Sequence, residues 1–418
     1  MTGRIHRTAA GLGPAAPVRA VHLGLGGFHR SHQAWYTAGD PEWGIAAYTF
    51  RNTELPRALT EQQGVYTLLV AGEEAEVVGS LSRAHAGADR ESWLADLASP
   101  DVAVLTLTVT EAAYAVPEPG QDSAVQRVVA GLRARHRSGG APITVVPCDN
   151  VPDNGAVLRS VLRSATRDDR RFAAWVEEQV SVVSTVVDRI TPAPTDEDVA
   201  AALRATGLRD EAPVRTEPFT EWLLAGDFPA GRPAWERRGA RFVPDVGVYQ
   251  QRKLWFLNGA HSLLAYAGLA RGHTTIREAV DDDALAGTVQ QWWDTAARHI
   301  ALDPAEVAEY CRRLRDRFAA PGIRHQLRQI ATDGSQKIPA RWLPVLRAER
   351  AAGRLPGAVV TGLAAWLLHL RGGEVRDPRA AELVESAGSV RRALLALDEE
   401  VGADDELVSA VEAELHRT

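Results

Sequence analysis

A single lysine stands out in the apolar stretch QRKLWFLNGAHS, which covers residues 251–262. Lysine and arginine together number 47 in this chain, and only Lys253 and Lys337 among them are lysines. A lysine in apolar surroundings has a lowered pKa and can lose its proton, whereas an arginine stays charged. The residue type at position 253 therefore predicts a catalytic base rather than a fixed positive charge.

Two polar side chains follow this lysine at helical spacing. If residues 248–270 form one α-helix, with about 100° of rotation per residue, His261 lies about 80° and Asn258 about 140° from Lys253. Asn258 can donate to a developing alkoxide, and His261 can contact a substrate. Both are predicted to be catalytic. The structural alternatives are an amine that reaches solvent at the rim of the helix and an asparagine that satisfies backbone groups.

Three glycines follow an apolar run at 18–23 that predicts a strand: Gly24, Gly26 and Gly27. Their placement is typical of a dinucleotide-binding loop, which needs a tight turn, close approach of the backbone to a pyrophosphate and a helix N-terminus. The glycines and Phe28 are predicted to bind a cofactor, with a helix beginning near Ser31. The third glycine of the usual fingerprint would fall at His29, so a simple glycine-rich turn is the alternative.

The end of the second predicted strand carries the sequence TFRNTE. Arg51 can stack on an adenine or meet a 2′-phosphate, and Glu54 can reach a ribose. The sequence leaves both NAD and NADP open as cofactors.

Polar side chains follow three further predicted strands, at the edge where open α/β sheets place their sites. In PCDNVPDNG, Asn150 is predicted to be functional and Asn154 to cap a helix. Asp188 lies at the tip of the strand that ends in VVDRITP. In TLTVTEAAY, Thr108 and Glu111 are predicted cofactor contacts.

The second lysine, Lys337, lies in DGSQKIP, which predicts a turn between helices. Arg324, His325 and Arg341 are close to it in sequence. Together these side chains can bind a substrate carboxylate, although a surface turn would explain Lys337 equally well.

The order of apolar patterns divides the chain. In the first half, short β-branched runs alternate with helical stretches, which predicts a mostly parallel sheet covered on both faces. From about Val246 the predicted strands stop and long helical patterns follow. We therefore predict an α/β domain over residues 1–245 and an all-α domain over residues 246–418.

Bulk composition excludes several classes of protein. A net charge of −7 over 418 residues argues against nucleic acid or an anionic membrane as the main partner. The two cysteines lack metal-ligand spacing and fit a reducing cytosol. The most apolar C-terminal run, at 357–370, is shorter than the roughly 20 residues that a bilayer requires. Since no metal motif is visible, a base beside a nucleotide-binding fold indicates hydride transfer between an alcohol and a ketone.

Taken together, the motifs resemble the mannitol dehydrogenase family of polyol-specific long-chain dehydrogenases. The resemblance runs through VHLGLGGFHRSHQAWY, TVTEAAY, PCDNVPDNG and VVDRITP to KLWFLNGAHSLLAYAG and QIATDGSQKIPAR, nearly the whole chain. It implies a Rossmann-like nucleotide-binding domain, a helical substrate domain, and a metal-independent reaction with a nicotinamide, more often NAD.

The resemblance also implies a role for individual residues. Lys253 matches the general acid/base of the family, and Asn150 and Asn258 match the pair that holds the reacting oxygen. His261 matches a substrate-positioning residue. Asp188 matches a polar residue beside the nicotinamide and the substrate. Lys337 matches a position associated with substrate binding.

We therefore expect an NAD(P)-dependent oxidoreductase that interconverts a secondary alcohol of a polyol or sugar acid with its ketose. Fructuronate reductase is the preferred activity and mannitol 2-dehydrogenase the alternative, in a cytoplasmic monomer or weak oligomer. The family commonly has a proton-relaying Glu three residues before the lysine, where this chain has Gln250. That difference motivates an alternative hypothesis, in which the chain is a nucleotide- or sugar-acid-binding protein without catalytic activity.

Overall fold

The computed structural model describes residues 3–109, 114, 123–320 and 325–417. The chain forms two compact units, one over residues 1–247 and one over residues 248–418. The first is α/β, and the described residues of the second are helical apart from turns and an isolated bridge. The predicted fold class is therefore confirmed.

Among its described residues, the N-terminal unit has twelve strands. In chain order they are β1 Val18–Leu23, β2 Gly44–Tyr48, β3 Tyr66–Val70, β4 Glu76–Val78, β5 Leu81–His85, β6 Val104–Leu107, β7 Ile143–Pro147, β8 Val180–Val182, β9 Ser184–Asp188, β10 Val214–Thr216, β11 Glu221–Ala225 and β12 Arg241–Phe242. Eight helices accompany them: α1 Gly27–Ser31, α2 Gln33–Thr37, α3 Glu54–Glu61, α4 Arg90–Ala98, α5 Ala124–Arg137, α6 Asn154–Thr166, α7 Arg170–Gln179 and α8 Asp196–Thr206.

The central sheet has six parallel strands in the order β5-β2-β1-β6-β7-β8. The chain fills one side of β1 first and then crosses to the other side, so the strand order reverses between β1 and β6. Open α/β sheets bind ligands in the crevice outside the carboxyl ends of the strands at such a reversal. Two three-stranded sheets, β10-β3-β4 and β12-β11-β9, complete the unit.

Both faces of the central sheet are buried. Along β2, Ile45 and Ala47 belong to one apolar cluster, while Ala46 and Tyr48 belong to the other. Successive side chains of a strand point to opposite faces, so helices cover the sheet on each side. This arrangement explains the continuous apolar runs that predicted the strands.

The second unit contains the remaining helices. They are α9 Gly247–Arg252, α10 Gly259–Ala270, α11 Ile276–Val280, α12 Asp283–Ala297, α13 Pro304–Ala319, α14 Leu327–Ile330, α15 Gly334–Arg341, α16 Leu343–Ala351, α17 Gly357–Arg371, α18 Ala380–Ser386, α19 Val390–Leu397, α20 Glu399–Ala403 and α21 Asp405–Leu415. A π-helical turn, Lys253–Asn258, joins α9 to α10.

Three local predictions are wrong. The first helix begins at Gly27 rather than near Ser31, because the glycine turn leads directly into it. Residues 180–187, which the sequence predicts as one strand before Asp188, divide after Val182, since the residues that follow pair antiparallel with β11 in another sheet. Lys337 lies inside α15 and not in a turn, because the helix begins at Gly334, directly after the N-cap Asp333, which has a φ of 55°.

Candidate active site

The turn after β1 requires a glycine. Gly24 has a φ of +113°, and a Cβ atom there would lie 2.2 Å from the carbonyl oxygen of Thr108. The amides of Gly24 and Leu25 both donate to Tyr48 O at 2.9 Å, which fixes the turn against the end of β2. The hydroxyl of Thr108, a predicted cofactor contact, donates to Gly24 O at 2.8 Å and holds the loop from β6.

The next two glycines have another explanation. A Cβ atom on Gly26 would meet nothing nearer than Gly24 O at 3.6 Å, and one on Gly27 would meet Thr191 Cγ2 at an ordinary 3.4 Å. Packing within the protein therefore tolerates a side chain at both positions. Glycine there leaves the backbone open to a group outside the chain, as a pyrophosphate site requires.

His29 occupies the third position of the fingerprint and replaces a glycine by a ring stack. Its imidazole lies on that of His22 from β1, with 3.4 Å between ring centroids and 10° between planes. Thr108 Oγ1 gives its one proton to Gly24 O, so it accepts from His22 Nε2 at 3.1 Å. His22 Nδ1 then accepts from Thr106 Oγ1 at 2.7 Å. The stack fills the helix–strand contact that a third glycine would leave open.

Both stacked imidazoles are neutral in the folded chain. Burial lowers the pKa of His22 to about 3, and burial, then the repulsion that a second proton on the His22 stack would meet, then the charge of Arg30 hold the pKa of His29 well below its usual value. An unfolded chain takes up protons at these histidines below a pKa of about 6.5, whereas the folded chain does not. The stability that they contribute is therefore complete above about pH 6.5 and is lost as the pH falls toward 3.

We expect the free energy of unfolding to fall between pH 6.5 and pH 5, and His29→Gln to reduce the slope by about 1.4 kcal/mol per pH unit, one proton fewer. Urea unfolding at several pH values measures this slope. His416→Gln, at a histidine that is exposed, is the control and is expected to keep the slope of the parent. Equal slopes for the parent and the His29→Gln variant would contradict the assignment.

Two of the predicted motifs meet at the carboxyl end of β7. The phenol of Tyr114, from TVTEAAY, donates to the carboxylate of Asp149 in PCDNVPDNG. Burial raises the pKa of that carboxyl group. Asn150 follows and is exposed. Sequence reasoning missed Tyr114, which could be found only once the carboxyl ends of β6 and β7 were known to be neighbours.

Asn154 was predicted to cap α6, and that prediction is wrong. Asp153 is the N-cap, in the left-handed region at a φ of 49°. The buried amide of Asn154 instead accepts from Thr185 N at 3.0 Å and donates to Thr185 Oγ1 at 3.2 Å. It ties the end of β7 to β9. The latter strand ends in Asp188, which is buried beside β11.

The remaining residues predicted to contact the cofactor lie in separate segments of the N-terminal unit. Phe28 is partly buried and stacks on His32 with 5.0 Å between ring centroids. Arg51 is exposed after β2, and Glu54 is the first residue of α3. Glu111 lies outside the described residues, as does Arg324 of the predicted carboxylate site.

In the helical unit, Lys253 and Asn258 are the first and last residues of the π-helical turn. The amide of Gly259 bonds to Leu254 O, five residues back, where an α-helix would use four. This widening brings residues five apart roughly over one another, so Asn258 lies closer to the face of Lys253 than the predicted 140°. Both side chains are half-buried. π-helical turns within α-helices occur frequently at functional sites.

Further along this helix, His261 lies among aromatic rings. Its centroid is 4.8 Å from Phe318 and 5.4 Å from His325, which is a predicted substrate contact. Burial, and then Arg317, lowers the pKa of His325. The structure thus brings together His261 and His325, which are far apart in sequence.

Lys337 and Arg341 share one face of α15. The Lys337 amine donates to Ile330 O at 3.2 Å and to Thr332 Oγ1 at 3.0 Å. Burial, and next the charge of Arg341, lowers the pKa of Lys337, and burial lowers the pKa of Arg341 to about 10. Arg341 donates to Asn258 O at 3.2 Å and to Ser262 Oγ at 2.7 Å. The predicted cationic segment therefore contacts the helix that carries Asn258.

A cavity of about 1040 Å³ in the helical unit has Thr332, which accepts from Lys337, in its wall, whereas Lys253, Asn258 and Lys337 itself do not line it. The polar side chains of its lining include Gln326, Arg328, His369 and Arg376. Arg328 is paired with Glu374 across the wall. The lining combines hydrogen-bonding groups with net positive charge, which suits a polyhydroxylated anion.

The described residues contain no cluster of three His, Cys, Asp or Glu side chains that could hold a metal ion. Among the same residues, no helix combines the length and hydropathy that crossing a bilayer requires.

Comparison with known proteins gives consistent matches. The mannitol dehydrogenase Rossmann domain matches residues 18–237, and the mannitol dehydrogenase C-terminal domain matches residues 245–418. D-mannonate oxidoreductase of Escherichia coli is 36% identical over 406 residues, 87% of this chain and 84% of that protein. D-arabinitol 4-dehydrogenase of Ralstonia nicotianae is 35% identical over 396 residues, 85% of this chain and 84% of that protein.

Among solved structures, the ternary complex of Pseudomonas fluorescens mannitol 2-dehydrogenase with NAD and D-mannitol has a TM-score of 0.78 and 29% identity. The match covers 99% of this chain and 94% of that chain. These similar proteins act on a sugar acid, a pentitol and a hexitol by name.

Proposed function

Because the chain belongs to the mannitol dehydrogenase family, as its motifs predicted, we propose that it is an NAD-dependent oxidoreductase for a polyol or sugar acid. The observation that carries this proposal is Lys253, one of two lysines in the sequence. It is half-buried at the start of a π-helical turn that ends in Asn258. An amine and an amide at this spacing can serve one reacting hydroxyl group.

The glycine loop fits the cofactor. Gly24 makes the turn that the backbone needs, while Gly26 and Gly27 keep the backbone open to a pyrophosphate. When bound, the nicotinamide accepts or donates the hydride. Exposed Arg51 is available to the adenine side in either cofactor, and the NAD complex of the mannitol 2-dehydrogenase favours NAD over NADP.

The proton is handled by Lys253. During oxidation its neutral amine takes the hydroxyl proton, and during reduction the ammonium returns it. The amides of Asn258 and Asn150 donate to the oxygen while it carries alkoxide character. His261 contacts and orients the substrate, and Asp188 is a polar group near the reacting carbon. These roles follow the family motif residue by residue.

For the substrate, we favour the pair mannonate and fructuronate over mannitol and fructose. Lys337, His325 and Arg341 supply cationic or proton-bearing groups in the helical unit, and Arg376 lines the cavity together with Arg328, which is paired with Glu374. A carboxylate gains from such charge, whereas a neutral hexitol does not. The 36% identity with D-mannonate oxidoreductase supports the same choice.

Initial rates with NADH and NADPH against fructuronate, tagaturonate and fructose test the proposal. We expect the highest kcat/KM with NADH and fructuronate, at least tenfold above that with fructose. A preference for fructose would favour the mannitol 2-dehydrogenase alternative. No turnover of NADH with any of the three would contradict the oxidoreductase assignment.

Gln250 favours a second candidate, a nucleotide- or sugar-acid-binding protein without catalysis, because it stands three residues before Lys253 where the family commonly has a proton-relaying Glu. Calorimetry that detects NADH binding in the parent while activity appears only in the Gln250→Glu variant would support this candidate. Turnover by the parent eliminates it.

A further inference from the structure

Four side chains donate to backbone carbonyl groups in and directly after the π-helical turn. Trp292 and Trp293 of α12 donate their indole Nε1–H groups to Trp255 O at 2.8 Å and to Phe256 O at 2.9 Å. From the other side, Arg341 donates to Asn258 O at 3.2 Å, and Trp342 donates to Gly259 O at 3.0 Å. In each of the two pairs, donors that are neighbours in sequence bond to carbonyl groups that are also neighbours in sequence.

The π-helical turn creates a need for such donors. In an α-helix, Trp255 O would accept from the amide of Gly259. That amide is used by Leu254 O instead, and Trp292 donates to the carbonyl that has lost its α-helical partner. Since Trp255 and Phe256 are buried, water does not replace these bonds cheaply.

The rings are held tightly in place. Trp292, Trp293 and Trp342 are each no more than 2% exposed. A Cβ atom on Gly259 would lie 2.8 Å from Trp292 Nε1. The absence of a side chain at position 259 therefore admits the indole to the helix backbone.

We propose that Trp292, Trp293, Arg341 and Trp342 are positioning residues for the reaction, because they hold the backbone in the π-helical form. The wide turn sets Asn258 near the face of Lys253, and an α-helical turn would rotate it further around the axis, to the 140° expected from sequence. The inference rests on the proposed function, in which these two side chains serve one oxygen. It assigns none of the three tryptophans to contact with substrate.

The test compares two Trp→Phe changes with a matched control. Trp292→Phe with Trp293→Phe removes two N–H donors from the turn. Trp93→Phe is the control, because Trp93 is 2% exposed and donates Nε1–H to the Arg127 carbonyl at 2.8 Å in the N-terminal unit. We expect kcat to fall at least tenfold in the double variant, with the NADH Kd within twofold of the parent and an altered pH profile of kcat. The control is expected to keep kcat and its pH profile.

Two further measurements keep the outcomes distinct. If the double variant does not fold, Trp293→Phe alone is expected to lower kcat at least threefold relative to Trp93→Phe. Hydrogen exchange of a peptide spanning residues 253–262 is expected to quicken in the variants but not in the control. Unchanged kcat and exchange would overturn the inference while the parent remained active, whereas a parent without NADH turnover overturns the proposed function itself.

Discussion

Replacement of Lys253 by alanine is expected to lower kcat/KM by about 10³-fold, within the range of about 10²–10⁴ that general acid–base catalysis contributes. The NADH Kd should stay within twofold of the parent, because the glycine loop that we propose as the cofactor site lies in the other unit. Lys253→Arg should be nearly as inactive, since a guanidinium does not become neutral at ordinary pH. Steady-state kinetics and fluorescence titration of NADH measure the two effects.

The second lysine provides the matched control. Lys337→Met removes the only other lysine and is expected to raise KM for an acidic substrate more than tenfold while kcat changes little.

The pH dependence of kcat/KM in the two reaction directions adds a further check on Lys253. Oxidation needs the neutral amine, so kcat/KM for oxidation should rise with pH through the pKa of Lys253. Reduction needs the ammonium form, so kcat/KM for reduction should fall as the pH rises through the same pKa. An Arg variant within tenfold of the parent would remove Lys253 from the mechanism.

Adding a single methyl group to the glycine loop should affect stability at one position and NADH binding at another. Gly24→Ala places Cβ 2.2 Å from Thr108 O at a φ of +113°, so it is expected to destabilise the fold by about 1–3 kcal/mol from backbone strain, with the close contact in addition. Gly26→Ala meets nothing within 3.5 Å. It should leave stability within about 0.5 kcal/mol and weaken NADH binding at least tenfold.

Urea unfolding and NADH fluorescence separate these outcomes, and each variant serves as the control for the other. A Gly26→Ala protein that binds NADH as tightly as the parent would mean that no pyrophosphate lies against this turn. A Gly24→Ala protein of parental stability would contradict the loop conformation itself.

Much of the architecture follows from sequence pattern. The run VRAVHL forms β1, and buried apolar runs before polar residues form β6 and β7. Such runs are typical of parallel strands covered on both faces, so the fold class could be predicted. The glycine positions also predicted a tight turn after β1. A positive φ at Gly24 and open space at Gly26 are local properties of the backbone, so they can be inferred from the residue type.

The departures have a common physical basis. A histidine replaces a fingerprint glycine because another histidine on β1 stacks against it, and Asn154 bridges two strands because a threonine amide faces it. The π-helical turn exists where side chains from α12 and from residues 341–342 supply donors. Each depends on a partner remote in sequence, which local propensity and spacing do not identify.

The placement of the strands bears on how the protein is made. All strands among the described residues lie before residue 243, and the six that form the parallel sheet are complete by Val182. A nascent chain can therefore assemble its entire sheet while the ribosome is still translating the helical half. Domains emerging in this order fold sequentially, so synthesis arrested near residue 247 should release a protease-resistant fragment.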